Sequence, residues 1–253
     1  VNFNGKTVIV TGSAVGIGRA AAEAFSREKA KVVVADLDSQ RGEEAVSVII
    51  KDGGQASYIQ VDVTDSDSVK ALVEKTRQLY GGIDILINNA GIHYQGNVAE
   101  TPVEAWDRVL DVNLKGVYLC SHHVVPVMVE RGGGVIVNIA SEAGMVGIKG
   151  QAAYNASKAG VISLTQSMAV DFAEHKIRVN AVSPGTTETP LVLKILEEAD
   201  NPEEIRADLE GCRPLNRLGR PEEIAAAVLA MASDELGYAT GSVLTIDGGY
   251  TAQ

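Results

Sequence analysis

The chain reads as an α/β protein of Rossmann type, a doubly wound parallel sheet of about seven strands with helices on both faces. Three observations predict this. Short β-branched runs alternate with helical patterns from one end of the chain to the other. Most of these runs are almost continuously apolar, as parallel strands buried on both faces must be. The first run opens into a glycine-rich turn that leads directly into a helical pattern, the arrangement that binds dinucleotides in such sheets.

Taken in order, the strand patterns fall at 7–11, 31–36, 57–62, 83–88, 135–140, 177–182 and 243–246. Helical patterns fall between them at 18–29, 40–51, 66–80, 102–131, 153–174 and 221–233. Strands joined through helices imply right-handed βαβ units. Thr101, Pro102 and Glu104 mark a helix start, with a capping residue, a proline at the first helical position and an acid three residues after the cap. Pro221, Glu222 and Glu223 open the last helix in the same style. Pro126 sits inside a long helical pattern and should kink or interrupt it. The segment 189–214 breaks the rhythm. It is helical and charged and follows the carboxyl end of a strand, where a lid over a ligand crevice would sit. No shift in composition marks a second domain, so 1–253 is expected to be one Rossmann-type domain carrying that helical insertion.

Composition narrows the classes. A chain of 253 residues, 45% hydrophobic and 22% charged, is globular in type. On folding it should bury roughly three quarters of the surface that the unfolded chain exposes. A net charge of −11 argues against nucleic acid or an anionic membrane as partner. No apolar run approaches the ~18–20 residues of a spanning helix, and no secretory pattern opens the chain. Two cysteines, Cys120 and Cys212, are too few for a disulfide framework and sit in no metal-binding spacing, so both are expected to be buried or partly buried thiols. A cytoplasmic protein without a metal is the expectation.

The first turn reads Thr11-Gly12-Ser13-Ala14-Val15-Gly16-Ile17-Gly18. Gly12 permits the tight turn, Gly16 lets backbone approach a pyrophosphate, and Gly18 lets the helix pack against the strand. The helix start then offers free N–H groups to the phosphates. Asp36 ends the second strand, 18 residues after Gly18. Its carboxylate can accept from ribose hydroxyls and would repel a 2′-phosphate. Val15 and Leu37, placed to supply a cation for that phosphate, are apolar, and Asp38 adds negative charge. NAD is therefore the expected cofactor.

Tyr154 and Lys158 stand four apart in a helical pattern and share one face. Ser141 follows a strand end, 13 residues before Tyr154. Tyrosine has a reference pKa of about 10, and lowering it to ~7 needs about 4 kcal/mol. A lysine ammonium ~4–5 Å away supplies roughly 3–4 kcal/mol at an effective dielectric of 20. One lysine, helped by an oxidised nicotinamide, could therefore make the phenol a working acid/base without a metal.

Asn88-Asn89-Ala90-Gly91, Asn113, Ser141, Tyr154 with Lys158, and Pro184-Gly185, together with the glycine turn, resemble the short-chain dehydrogenase/reductase family over about residues 6–250. The length is similar to the family's short form, and no catalytic position departs from its pattern. The resemblance implies that Tyr154 is the general acid/base and that Lys158 lowers its pKa and holds the nicotinamide ribose. It implies that Ser141 orients the substrate oxygen and that Asn113 helps anchor a proton-relaying water chain. It further implies that Gly12, Ser13, Gly16, Ile17, Gly18, Asp36 and Leu37 surround the cofactor. Asp62 and Val63 would lie at the adenine, and Asn89, Ala90 and Gly91 at the ribose region. Pro184, Gly185, Thr187 and Thr189 would lie at the nicotinamide. The family commonly pairs two long helices between subunits, here 102–131 and 153–174, which implies a homo-oligomer, expected as a homotetramer.

His93, Glu142, Gln151 and Thr186 are the candidate substrate residues, with Tyr94 and Val192 nearby. The ending Asp247-Gly248-Gly249-Tyr250 also fits the family. The expected reaction is NAD-dependent hydride transfer with a secondary alcohol or ketone, or a sugar. Two alternatives stand beside it: reduction of a 3-oxoacyl thioester, and a non-catalytic NAD(H)-binding sensor or scaffold.

Overall fold

The computed structural model describes residues 1–197 and 199–253. Seven parallel strands form one sheet in the order β3-β2-β1-β4-β5-β6-β7. They are β1 (Thr7–Thr11), β2 (Lys31–Asp36), β3 (Gln55–Gln60), β4 (Ile85–Asn88), β5 (Gly134–Ile139), β6 (Ile177–Pro184) and β7 (Val243–Ile246). The order reverses between β1 and β4, so the loops after those strands diverge and leave a crevice at their carboxyl ends. Val8, Ile9 and Val10 of β1 lie opposite Ile85, Leu86 and Ile87 of β4.

Strand side chains alternate between faces, and each face has its own core. Val8, Val10, Val32, Val34, Ile85 and Ile87 pack with α1 (Gly16–Arg27) and α9 (Pro221–Ala232). Ile9, Val33, Leu86, Ile136 and Val179 pack on the opposite side with α3 (Ser66–Tyr80) and α5 (Gly116–Arg131). Helix α2 (Ser39–Lys51) joins the first layer through Ala45 and Ile49.

Several expected details change for local reasons. Strand β3 runs from Gln55 to Gln60 and not over 57–62. Asp62 leaves the ladder because its N–H donates to the Ser68 hydroxyl and its carboxylate accepts from the Thr64 N–H and hydroxyl. The expected Thr101 cap does not form. Pro102 itself takes the cap position of α4 (Val103–Leu110), and the Thr101 hydroxyl donates to the Asn97 carbonyl. Pro126 does not interrupt its helix, since α5 runs through it. The long 102–131 pattern breaks earlier, at a single π turn (Asp111–Lys115) between α4 and α5. At the last helix Glu223 accepts from the Arg220 N–H, as the acidic opening suggested.

Helix α6 (Ala152–Asp171) follows β5 and packs against β6. The unusual segment after β6 forms α7 (Pro190–Glu197) and α8 (Pro202–Gly211). Glu198, inside the expected 189–214 insertion, lies outside the described residues. Cys120 is buried as expected, but Cys212 is exposed just after α8. No described helix is long and apolar enough to cross a membrane.

Candidate active site

The carboxyl end of β1 and the start of α1 pack so closely that only glycine fits. A Cβ on Gly12 would lie 2.7 Å from the Ala90 Cα, and one on Gly18 would lie 2.4 Å from the Gly12 carbonyl oxygen. Gly12 and Gly16 also hold positive φ angles of 63° and 62°. No side chain caps α1, and its first turn carries no acid. The helix therefore presents uncapped N-terminal amides to an anion across a turn with no side-chain bulk. This cradle fits the pyrophosphate of a dinucleotide.

The residues around it divide into those that face the crevice and those that build it. Ser13 is fully buried and bridges β1 to β2, its hydroxyl donating to the Val10 carbonyl and accepting from the Ala35 N–H. Only its main chain remains for a cofactor. Ile17 packs into the core beneath α1. Asn89 donates its side-chain amide to the Thr11 and Gly12 carbonyls, which holds the turn against β4. Asp36 stands at the rim, accepting from the Ala14 N–H at 2.9 Å and the Asp38 N–H at 3.1 Å. Leu37 beside it is exposed, while Val63 is buried. Asp62 is held below the usual carboxylate range by the Thr64 hydroxyl and N–H. Thr189 reaches across from the start of α7, so that a Cβ on Gly16 would touch its methyl at 3.4 Å.

The candidate reacting groups gather where β5, α6 and the π turn meet. Ser141 follows β5, is buried, and holds a short 3-10 turn (Glu142–Gly144) by accepting from the Ala143 N–H. Tyr154 and Lys158 project from the first turns of α6. The Lys158 ammonium donates to the Ile139 carbonyl at 2.7 Å and lies 5.7 Å from the Tyr154 ring centroid. Asn113 is fully buried in the π turn. Its side chain accepts from the Ile92 N–H and donates to the Ile92 carbonyl and the Ser157 hydroxyl. A Cβ on Gly91 would lie 3.4 Å from the Asn113 carbonyl oxygen and 3.7 Å from the Lys158 ammonium. Gly91 thus keeps the space beside the ammonium free, between the cradle and α6. Pro184 ends β6, and Gly185 and Thr187 follow it.

A family model described as enoyl-(acyl carrier protein) reductase matches residues 12–251. The chain is 42% identical to the cis-4-hydroxycyclohexanecarboxylate dehydrogenase of Sinomonas cyclohexanicum, over 99% of this chain and 98% of that one. It is also 42% identical to the 3-oxoacyl-acyl-carrier-protein reductase of Thermotoga maritima, over 98% and 99%. The crystal structure of levodione reductase superposes with a TM-score of 0.96 at 34% identity, covering 99% of both chains. The chain belongs to the short-chain dehydrogenase/reductase family. It is an oxidoreductase of a family that uses nicotinamide cofactors.

The electrostatics of this short-chain dehydrogenase/reductase differ from the expectation of a lysine that simply lowers the tyrosine. Burial pushes the Tyr154 phenol up. A hydrogen bond with Ser141 opposes the rise and the Glu142 charge adds to it. Burial also pushes Lys158 down to about 8. Its ammonium is turned onto the Ile139 carbonyl, so Ser141 is the group that favours the phenolate in this arrangement.

Two substrate candidates meet at one arginine. Glu142 is buried in an ion pair with Arg213, and the Thr186 hydroxyl accepts from the same guanidinium. Both contact Arg213, from the segment after α8, while Glu142 Oε2 has no hydrogen-bond partner. His93 and Gln151 remain at the mouth. The His93 ring meets the Tyr154 ring edge-on at 5.1 Å. Burial lowers the His93 pKa, and a hydrogen bond with Gln151 raises it in part.

Sequence reasoning missed Thr11 and Arg213. The buried Thr11 hydroxyl donates to Ile87 and accepts from the Asn89 and Ala90 N–H groups, so it seats the whole Asn-Ala-Gly turn. A polar residue ending a buried strand before glycine was the available signal. Arg213 carried no spacing signal at all. A crevice of about 890 Å³ lies elsewhere, at the amino ends of the strands. Its Arg131 is paired with Asp84 and its Arg178 is spent on the carbonyls of Met231, Ala232, Ser233 and Ala239. That crevice is therefore not read as the site.

Proposed function

We propose that this protein is an NAD-dependent dehydrogenase of secondary alcohols, with a cyclic alcohol or a sugar as the substrate class. The observation that carries the reading is the convergence of Ser141, Tyr154 and Lys158 at one strand end beside the glycine cradle. The resemblance to a hydroxycyclohexanecarboxylate dehydrogenase supports the cyclic alcohol.

A bound nicotinamide would supply the hydride acceptor in the alcohol-to-ketone direction. The main chain of Gly12–Gly18 and the amides of α1 would hold its phosphates, Asp36 its adenosine ribose, and Lys158 with Gly91 its second ribose. Ser141 holds the substrate oxygen by a hydrogen bond. Tyr154 takes the hydroxyl proton as the carbon gives up hydride, and returns a proton in the reverse direction. Lys158 stabilises the phenolate when it carries charge. The Asn113 side chain is already spent, so in this reading its main chain anchors the exit path of the proton. Thr189 and α7–α8 form the lid.

The test is the absorbance of reduced nicotinamide, with NAD and NADP in parallel, over secondary alcohols, polyols and aldoses. Turnover is expected with NAD. Asp36→Ala combined with Leu37→Arg should move the NADP-to-NAD ratio of kcat/KM by roughly 100-fold, one repulsion removed and one ion pair added. A double variant that keeps the native ratio would refute the role of Asp36. The second reading, a 3-oxoacyl thioester reductase, is favoured by the Thermotoga maritima relative. Turnover of an acyl thioester with NADPH, and none of alcohols with NAD, would replace the first reading by this one.

We also place the enzyme in the cytoplasm as a homotetramer. Val103 on α4, Tyr118 on α5 and Val170 on α6 are exposed at 69%, 50% and 79%. Leu110, Leu114, Tyr118 and Leu164 line a shallow groove between these helices. Light scattering at micromolar concentration is expected to give four times the chain mass, and a monomer would overturn the assignment.

A further inference from the structure

Arg213 ties together three strand ends that the chemistry keeps separate. Its guanidinium pairs with Glu142 after β5 at 2.6 Å and donates to the Thr186 hydroxyl after β6 at 2.6 Å. It lies 5.2 Å from the centre of the Tyr250 ring after β7. It also donates to the Leu209 carbonyl at the end of α8. Both members of the ion pair are almost fully buried, with side chains 3% and 4% exposed. The pair is the joint between the α7–α8 segment and the residue that follows Ser141.

We propose that Arg213 is a positioning residue of the reaction: it latches the α7–α8 segment onto the strand end that carries Ser141 and keeps the Glu142 carboxylate neutralised beside Tyr154. The catalytic half of this statement rests on the reading of Tyr154 as the acid/base. The groups that face Glu142 are Arg213 from the lid, Tyr154 from α6, Thr186 after β6 and Asp247 after β7. Burial pushes Glu142 up to about 7. Arg213 works against that rise, Asp247 adds to it, and the Arg213 and Thr186 hydrogen bonds lower it. A one-sided loss is severe because both side chains are buried and Glu142 Oε2 and Arg213 Nε already lack a hydrogen-bond partner, so the charge that remains has lost its counter-charge in the interior.

The direction of the electrostatic effect follows from these contacts. Without Arg213, Glu142 titrates higher. Once ionised it stands unpaired next to the phenol, which then loses its proton only at higher pH.

The test compares Arg213→Met, Arg213→Lys and the double variant Glu142→Gln/Arg213→Met with the native protein, all free of cofactor. Thermolysin cleavage within 190–211, mapped by mass spectrometry, reads the latch. The ultraviolet titration of the phenolate, taken as the difference from Tyr154→Phe in each background, reads the charge. Arg213→Met should be nicked at least tenfold faster and should titrate Tyr154 at higher pH, with Arg213→Lys in between. The double variant should restore the native titration while remaining rapidly nicked. Native cleavage of Arg213→Met, an unchanged titration, or a shift that Glu142→Gln does not reverse overturns the proposal. Neither readout needs turnover. A native protein that oxidises no alcohol would count against the proposed function and leave this comparison decisive for the latch.

Discussion

Replacing Tyr154 by Phe leaves a protein that folds and binds NADH normally but oxidises its alcohol about a thousandfold more slowly, the middle of the range for losing a positioned acid/base. The ring is retained, so its edge-on packing with His93 and its place on α6 are retained as well. What disappears is the hydroxyl that hydrogen-bonds with Ser141 and exchanges the substrate proton. The loss should fall on kcat more than on KM, because Ser141 still holds the ground-state oxygen and the proton moves only on the way to the transition state. Steady-state kinetics with a fluorescence titration of NADH separates the two. A variant within tenfold of native kcat would remove Tyr154 from the chemistry.

Lys158→Met is expected to lower kcat/KM by a similar factor and, in the cofactor-free protein, to raise stability. Lys158 is 4% exposed and burial pushes its pKa down to about 8 from an ordinary 10.5. That displacement is a cost of folding on the order of 3 kcal/mol. Its sign is fixed by linkage: between these two values the unfolded chain binds the proton and the folded chain does not, so native stability rises with pH through that window. The cost is fully present below about 8 and gone above 10.5. Methionine removes it but leaves the Ile139 carbonyl without its partner, which returns about 1 kcal/mol. The net gain at neutral pH is about 2 kcal/mol, roughly 5 °C in Tm for a chain of this size. Thermal unfolding from pH 7 to 10.5 should show the native curve climbing toward that of the variant. Parallel curves, or a less stable variant at pH 7, would show that Lys158 does not carry this burden.

The sheet was readable because its signals are local. Apolar runs such as Val8–Val10 and Val32–Val34 are long enough to betray burial on both faces, and Gly12, Gly16 and Gly18 state the geometry of the turn they make. Ser141, Tyr154, Lys158 and Asn113 were also legible, and the fold brings them to one place. Three things were hidden because they depend on distant partners. The orientation of Lys158 depends on a free carbonyl at the end of β5. The fate of Glu142 depends on an arginine 71 residues away. The layer that supports the site is a buried chain of amides and hydroxyls, in which Asn88 donates to Ser121 and Asn138, and Asn138 donates to Thr165. Polar residues inside apolar runs mark such a chain only once the register of β4 on β5, with Asn88 opposite Asn138, is known.

The π turn at Asp111–Lys115 carries a consequence for the length of the chain. One extra residue is wound into that turn, so the apolar rows before and after it are out of phase by one position, about 100° of helix rotation. The turn brings Asn113 inward to Ile92 while leaving Asp111 and Lys115 paired on the surface. Removing a residue within the turn would let the helix close into regular register with both apolar rows still facing inward, but Asn113 would lose the position from which it reaches Ile92. Substitution can tune this helix, but its residue count is part of the active site.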